Sequence, residues 1–213
     1  MERLSIKLDR IEVGDFLRDW EGKSPKNLKL VNVRGCNGAG KSSVPLQMLR
    51  QDRATFIFTI NGKEVATCFP NFKYLAMGKY RTKTGGLDGF KTNEETREVL
   101  EKLWTLPFNI LMEGVISSTI FSTYAEMFKN LKNKHPNREI IVANFLPPLK
   151  TCLERVKKRN GGKEIDEKAV ESKYNTVSRN ADKFRLEDIK SLKLDNSEIA
   201  LDETVGWFLS SVK

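Results

Sequence analysis

The chain has 213 residues, of which 39% are hydrophobic and 31% are charged, with 37 Lys and Arg against 28 Asp and Glu. This composition excludes a disordered chain, and no apolar run approaches the roughly 20 residues of a membrane-spanning helix. The formal charge of +9 favours a polyanionic partner such as nucleic acid, although many basic proteins bind nothing with their excess charge.

The start of the chain and its cysteines predict a cytoplasmic protein. The opening MERLSIKLDR lacks the apolar core of a signal peptide. Cys36, Cys68 and Cys152 are far apart and lack metal-ligand spacing, so we expect reduced thiols. Residues 1–27 carry apolar positions at helical spacing and are predicted to form an extension packed on a core domain, residues 28–213.

Residues 32–43, NVRGCNGAGKSS, satisfy the phosphate-loop pattern GxxxxGK[ST]. A strand pattern precedes the stretch and a helix pattern follows it, so backbone N–H groups and a helix N-terminus are expected to face one anion. The pattern predicts that Lys41 reaches the β- and γ-phosphates of a nucleotide and that the Ser42 hydroxyl binds Mg²⁺. The residues of the predicted phosphate loop are Gly35, Cys36, Asn37, Gly38, Ala39, Gly40, Lys41, Ser42 and Ser43. The alternative is a glycine turn with no ligand.

An inserted β-hairpin is predicted over 54–69, where two β-branched and aromatic runs flank an Asn-Gly pair. A third strand, 72–77, leads into GKYRTKTGGLDGF at 78–90, which combines cations, glycines that permit close approach and one carboxylate. That carboxylate, Asp88, is the first candidate to receive the proton of an acceptor hydroxyl in phosphoryl transfer. An ordinary surface turn explains the same Gly-Gly and Asp-Gly pairs.

Glu113 ends the next apolar run. A helix is predicted over 92–106, and a buried parallel strand over 108–115 ends in Glu113 and Gly114. Ligands bind at the carboxyl ends of parallel strands in this architecture, so Glu113 is expected to hold Mg²⁺, directly or through water, or to act as the base instead of Asp88. A purely structural role is the remaining alternative.

A helical lid is predicted over about 155–183. Arg155 and Arg159 are one turn apart on a helix predicted over 149–159, just before an Asn-Gly-Gly loop. Arginines on a closing lid stabilise the charge of a transferring phosphoryl group, and Arg179 and Lys183 are expected to complete the lid from its second arm. A solvated basic helix face is the alternative. The other predicted elements are helices over 119–134, 168–184 and 204–212 and strands over 139–146 and 190–194.

The alternation of strands and helices predicts an α/β fold, a three-layer P-loop NTPase sandwich with a mostly parallel sheet, an inserted β-hairpin and the helical lid. Other members of this fold class fit less well. A GTPase needs Asn-Lys-x-Asp, but the Asn-Lys pair at 133–134 continues into His135 and Pro136. A motor ATPase is usually larger and carries a strand-end Asp. A small kinase remains.

The order of VRGCNGAGKSS, ILMEG and CLERVKKR resembles the nucleoside and nucleotide monophosphate kinases over roughly residues 28–213, without the Asp-Arg-aromatic motif of thymidylate kinases. RGCNGAGKS together with GKYRTKTGGLDG more closely resembles the bacteriophage 5-hydroxymethyluracil DNA kinases. This resemblance implies transfer of phosphate from ATP, with Mg²⁺, to the 5-hydroxymethyl group of a modified base in DNA, a step in phage thymidine hypermodification. The compartment it implies is the host cytoplasm.

The resemblance also implies residue roles, with residues 35–43 binding ATP and Mg²⁺. Asp88 would address the hydroxymethyl oxygen, and the residues that hold the substrate would be Lys79, Tyr80, Arg81, Gly85, Gly86 and Asp88. Tyr80 is expected to stack on an extruded base. A DNA substrate favours a broad basic surface, which is expected from Lys129, Lys132, Lys134, Arg138, Lys157 and Lys158. The alternatives are a deoxynucleoside monophosphate kinase acting on free nucleotides and a nucleotide-gated DNA-binding protein.

Overall fold

The structure, a computed structural model, describes residues 4–6, 24–81 and 85–213, with 4–6 described as backbone only. Its strands are β1 Leu4–Ile6, β2 Leu28–Arg34, β3 Phe56–Ile60, β4 Lys63–Phe69, β5 Tyr74–Met77, β6 Asn109–Glu113, β7 Arg138–Phe145 and β8 Lys190–Leu194. Its α-helices are α1 Ser43–Gln51, α2 Asn93–Trp104, α3 Val115–Thr119, α4 Ser122–Lys134, α5 Leu149–Arg159, α6 Glu167–Leu186 and α7 Thr204–Ser211. Short 3₁₀ helices span Pro70–Phe72 and Gly86–Gly89.

The described strands form one sheet in the order β1-β3-β4-β5-β6-β2-β7-β8. From β5 to β8 every neighbouring pair is parallel, whereas β1, β3 and β4 add antiparallel strands at one edge. The predicted hairpin therefore continues the main sheet. Its turn residues, Asn61 with φ of 50° and Gly62 with φ of 75°, supply the two left-handed positions of a tight two-residue turn. The predicted α/β fold is confirmed.

The central strand β2 is buried on both faces. Leu30, Val31 and Val33 are fully buried, with Leu30 in the core on one side of the sheet and the two valines in the core on the other. This is the reason for its near-continuous apolar sequence, as expected for a parallel strand covered by helices on both sides. Because β6 and β7 flank β2, the chain that follows these three strands meets at one edge of the sheet.

One predicted helix begins with a side-chain cap, and another was predicted incorrectly at its start. The Thr92 hydroxyl accepts a hydrogen bond from the Glu95 N–H and begins α2, as the sequence indicates. The single helix predicted over 119–134 is wrong at its start, because α3 precedes it. Extended backbone at Ile120 separates α3 from α4, which begins at Ser122.

The expectations for the cysteines and for membrane-spanning helices concern described residues, whereas most of the predicted N-terminal extension does not. Within the described residues, the three cysteines are free and buried, and no helix has the length and apolar character that crossing a bilayer requires. The predicted extension over 1–27 lies outside the described residues, except for 24–27 and the backbone of β1, which pairs with β3. Lys83, one of the cations of the 78–90 stretch, also lies outside them.

Candidate active site

The phosphate loop connects β2 to α1 and requires glycine at two positions. Gly38 has φ of +81° and Gly40 has φ of +87°, values that side-chain-bearing residues rarely adopt. A Cβ atom on Gly38 would lie 2.2 Å from the Cys152 carbonyl oxygen, and one on Gly40 would lie 2.7 Å from Asn196 Nδ2. The loop is therefore pressed between α5 and the segment that follows β8.

Lys41 is folded back over the loop. Its side chain is buried, and Nζ donates a hydrogen bond to the Cys36 carbonyl oxygen at 2.9 Å. Burial lowers the pKa of the ammonium group, while the nearby charge of Glu113 acts in the opposite direction. The arrangement holds a cation inside the loop, where a polyphosphate would replace the carbonyl as its partner.

Glu113 lies at the end of β6, opposite Val33 of β2 in the parallel ladder. It is 1% exposed; Oε2 accepts from the Ser42 hydroxyl at 3.1 Å, and Oε1 accepts from the Tyr80 hydroxyl at 3.4 Å. Burial raises the pKa of this carboxyl, and the charge of Lys41 together with these hydrogen bonds acts to lower it. Ser42 and Glu113, predicted from separate motifs, are brought into contact.

Gly86, two residues before Asp88, lets this segment pack closely against Glu113. Gly86 has φ of +62°, and a Cβ atom there would lie 2.3 Å from Glu113 Oε1. Gly89, by contrast, would meet nothing within 4 Å, so the close approach predicted there is not observed. Asp88 is exposed, and its Oδ1 accepts from the Val115 N–H at 3.1 Å at the start of α3.

Hydrogen bonds hold the short helix α3 to the end of β2 and to the first residue of the phosphate loop. Arg34, fully buried at the end of β2, donates from Nη2 to the carbonyl oxygens of Ser117 and Ile120. Burial lowers the pKa of Arg34 to about 9. The Gly35 N–H donates to the Ser118 hydroxyl at 3.2 Å. The segment that carries the Asp88 contact is thus tied directly to the strand that carries the loop.

These elements enclose a cleft of about 600 Å³. Its polar lining is Asn37, Gly38, Gly40, Lys41, Ser42, Ser43, Gly85, Asp88, Arg155, Arg159, Asn196 and Thr204. Its apolar lining is Leu46, Val115, Ile199 and Leu201. The cleft therefore unites the predicted phosphate loop, Asp88 and both predicted lid arginines, whereas Glu113 does not line it. Leu46 of α1, together with Ile199 and Leu201 before α7, forms its apolar wall.

Asn196 is a cleft residue that the sequence analysis missed. Its Nδ2 donates to the Ala39 carbonyl oxygen at 3.0 Å, which fixes it to the phosphate loop. Arg155 donates to the Asn196 side-chain oxygen at 3.3 Å and to its backbone oxygen at 3.0 Å. Asn196 thus connects the loop to the lid arginine. Its position just after β8, beside a phosphate loop, is the sequence feature that could have identified it.

The role predicted for Tyr80 requires correction. Its side chain is 3% exposed and packs in the core against Glu113, and the Met77 carbonyl oxygen, 3.2 Å from its hydroxyl, is a second acceptor within reach of its single proton. A ring in this position does not reach the cleft to stack on a base. Neighbouring Lys79 and Arg81 do not line the cleft either; Arg81 is exposed and donates to the Thr55 hydroxyl at 3.0 Å.

The second arm of the predicted lid does not reach the cleft. Arg179 and Lys183 are exposed on α6 and do not belong to the cleft lining. Arg179 donates to the Thr176 hydroxyl at 3.4 Å, and Lys183 Nζ lies 5.5 Å from the centre of the Phe121 ring. Of the four lid cations predicted, the cleft contains the two on α5.

The predicted basic surface is wrong for Arg138, and four of its lysines have carboxylate partners. Arg138 is buried, and its guanidinium donates to three carbonyl oxygens, those of Trp104, Leu106 and Phe108. Four predicted lysines form ion pairs: Lys129 with Glu187, Lys132 with Asp188, Lys134 with Glu101 and Lys157 with Glu167. Arg138 begins β7, at the end of the sheet opposite the phosphate loop. The net charge did not reveal these local partners.

Comparison with known proteins gives consistent matches. The sequence model of the family described as 5-hmdU DNA kinase matches residues 17–197. A 5-hmdU DNA kinase of Bacillus phage SP10 is 52% identical over 213 residues, covering 96% of this chain and 33% of that protein. The 5-hmdU DNA kinase 1 of Salmonella phage ViI is 30% identical, covering 89% of this chain and 87% of that protein. A 5-hmdU DNA kinase of Pseudomonas phage M6 is 34% identical over 73% of this chain and 85% of that protein.

Two further facts define the extent of these matches. The chain spans about a third of the length of the SP10 relative, but most of the length of the other two. Among solved structures, a chain of the PezAT chromosomal toxin-antitoxin system of Streptococcus pneumoniae aligns with a TM-score of 0.52 at 14% identity, covering 85% of this chain and 74% of that one. This likeness concerns the fold alone.

Proposed function

We propose a function from one premise: the chain belongs to the 5-hmdU DNA kinase family. The proposed reaction transfers the γ-phosphoryl group of ATP to the 5-hydroxymethyl oxygen of 5-hydroxymethyluracil in DNA. The observation that carries the proposal is the joining, in one cleft, of a phosphate loop and a carboxylate from the 78–90 stretch. A phosphate ester leaves carbon more readily than hydroxide, so the product suits a later replacement step in thymidine hypermodification.

The ATP site is proposed at the phosphate loop and the apolar wall. The loop N–H groups and Lys41 would hold the β- and γ-phosphates, as phosphate loops do. The adenine base of ATP would lie against Leu46, Ile199 and Leu201, which line the cleft beyond the loop. Arg155, which Asn196 holds beside the loop, would contact the phosphates and stabilise the charge that develops during transfer.

The residues present fit a magnesium ion. Mg²⁺ in phosphoryl-transfer sites takes one or two protein oxygen ligands and completes its octahedron with phosphate oxygens and water. Ser42 Oγ and Glu113 Oε2, 3.1 Å apart at the loop, are oxygens of this kind. No group of three His, Cys, Asp or Glu side chains in the described ranges could form a metal site without a substrate. Bound Mg²⁺ would neutralise phosphate charge.

Asp88 is proposed as the group that accepts the acceptor's proton. It is exposed in the cleft, whereas Glu113 is buried and occupied by Ser42 and Tyr80. In the proposed step, the hydroxymethyl oxygen forms a bond to the γ-phosphorus, its proton passes to Asp88, and the bond from phosphorus to the β,γ-bridging oxygen breaks, releasing ADP. Arg159 would contact the transferring group with Arg155.

A base within a duplex must leave the stack before its substituent can reach the cleft. The proposed acceptor is therefore an extruded nucleotide, and the proposed partner is DNA that contains the modified base. Because the named relatives are phage proteins, the proposed compartment is the cytoplasm of an infected host cell.

The test offers ATP labelled at the γ-phosphate, together with Mg²⁺, to three acceptors in one reaction. The acceptors are DNA containing 5-hydroxymethyluracil, the same DNA with thymine, and the corresponding free monophosphates. Label in the first DNA alone is the expected result. Label in the free monophosphates alone would instead support a nucleotide kinase, and nucleotide-dependent DNA binding without transfer would support a gated DNA-binding protein.

A further inference from the structure

Ion pairs occupy many of the cations that lie away from the cleft. The paired cations include Lys29, Lys63, Arg97, Lys129, Lys132, Lys134, Lys157, Arg185, Lys190 and Lys193. A DNA phosphate that approached one of these side chains would compete with a carboxylate already in place and would also be repelled by it. Phosphates are therefore expected to prefer cations without such partners.

Two cations of α6 meet this condition. Arg179 and Lys183 lie one helical turn apart on one exposed face, so they can contact successive phosphates of one strand. Within the described ranges, neither has a carboxylate oxygen within 4.0 Å. The contacts they do make, with the Thr176 hydroxyl and with the face of the Phe121 ring, leave their charge uncompensated.

A hydrogen bond connects this part of α6 to the active site. Asn180, the buried residue next to Arg179 in the chain, donates from Nδ2 to the carbonyl oxygen of Thr119 at 3.1 Å. Thr119 is the last residue of α3, and Val115, the first, donates its N–H to Asp88. At 1.5 Å per residue, α3 is about 7 Å long. The cations therefore lie close to the carboxylate that faces the acceptor.

An exposed apolar residue lies on the short helix α3. Ile116, the second residue of α3, is 64% exposed, and α3 itself is fixed to β2 by the buried Arg34. Proteins that extrude or unstack bases frequently insert an apolar side chain at the disturbed step. A rigidly held Ile116, next in the chain to the cleft residue Val115 that donates to Asp88, is positioned for this role.

We infer that the DNA strand carrying the target base crosses α3 and α6, where Arg179 and Lys183 bind its phosphates and Ile116 fills the space that the extruded base leaves. We call these three residues the strand-binding surface. The inference rests on the proposed function, and it places the DNA on residues other than the basic surface that the sequence predicts.

The first experiment compares two double variants with the same change in charge. Arg179→Gln with Lys183→Gln removes the proposed phosphate contacts, and Lys129→Gln with Lys132→Gln is the matched control at ion-paired sites. Since each lost phosphate contact lowers the slope of log affinity against log salt by about 0.9, the first variant should lose nearly two units of slope. Its KM for ATP should be unchanged. Equal slopes for the two variants would overturn the inference.

The second experiment tests the proposed role of Ile116 in filling the space that the extruded base leaves. Ile116→Ser should lower kcat/KM on fully paired DNA, and the loss should shrink when the target base is mispaired or single-stranded, because extrusion then costs less. An equal loss on both substrates, or no loss on either, would overturn the role of Ile116. The two levels of proposal fail differently: a wild-type protein that phosphorylates no DNA refutes the proposed function, whereas an active wild type with control-like variants refutes the strand-binding surface alone.

Discussion

Removal of the Asn196 side chain is expected to impair both stability and catalysis. Asn196→Ala deletes the hydrogen bond to the Ala39 carbonyl oxygen and the side-chain acceptor for Arg155. The lost bonds, with a carbonyl left unpaired, should cost about 2 kcal/mol of unfolding free energy. For a chain of this length, that corresponds to a fall in Tm of roughly 4–8 °C.

The effect on catalysis arises through Arg155. The Asn196 backbone oxygen still accepts from the guanidinium at 3.0 Å, so Arg155 loses one of two contacts and should lose part of its alignment. We expect kcat to fall about tenfold, which corresponds to about 1.4 kcal/mol of transition-state stabilisation. Urea unfolding and single-turnover phosphate transfer measure the two effects separately.

A double-mutant cycle provides the control. If Asn196 acts through Arg155, then Arg155→Ala alone and the double variant should have nearly the same kcat, because the second substitution removes nothing further. Additive losses in kcat, or an Asn196→Ala variant with wild-type kcat and stability, would refute this reasoning.

Four other substitutions have distinct expected outcomes. Tyr80→Phe removes a hydrogen bond that lowers the pKa of Glu113, so this already raised pKa should rise further. If the ionised carboxylate is the active form, activity is lost as pH falls through this pKa, and the acidic limb of the kcat profile should move to higher pH; an unmoved limb would contradict this link. Gly86→Ala places a Cβ atom against Glu113 at positive φ and should cost about 1–3 kcal/mol or more in urea unfolding, whereas Gly89→Ala, with open space around it, is the matched control. Asp88→Asn should lower kcat by about 10²–10⁴ with ATP affinity retained, whereas Glu113→Gln should chiefly raise the Mg²⁺ concentration needed for half-maximal rate; the reverse pattern would exchange their roles.

Local sequence determined the parts of the structure that were predicted well. The phosphate loop is recognised from residues adjacent in the chain, and the hairpin turn from a single Asn-Gly pair, so neither prediction required knowledge of distant contacts. The family resemblance, carried by the same short motifs, is confirmed. The catalytic roles of Asp88 and Glu113 stay predictions that the variants above test.

Long-range packing explains the features that were missed. Asn196 contacts Ala39 from 157 positions away, and no local pattern encodes that contact. Tyr80 belongs to a cationic, glycine-rich stretch that indicates exposure, yet its ring packs in a hydrophobic core that the local sequence does not show. Arg138 shows the same limit for charge: a net charge of +9 counts the cations but does not show which ones are buried or paired.

The most direct test of the central claim analyses the product base itself. DNA containing 5-hydroxymethyluracil is incubated with ATP and Mg²⁺ and then digested to nucleotides. No phosphatase is used, so that a phosphate on the base is retained, and the products are analysed by mass spectrometry. The wild-type protein should add one phosphoryl group to the hydroxymethyl oxygen, and Lys41→Ala should leave that base unchanged. An unmodified base after wild-type treatment, or the same phosphorylated base from Lys41→Ala, would contradict the account.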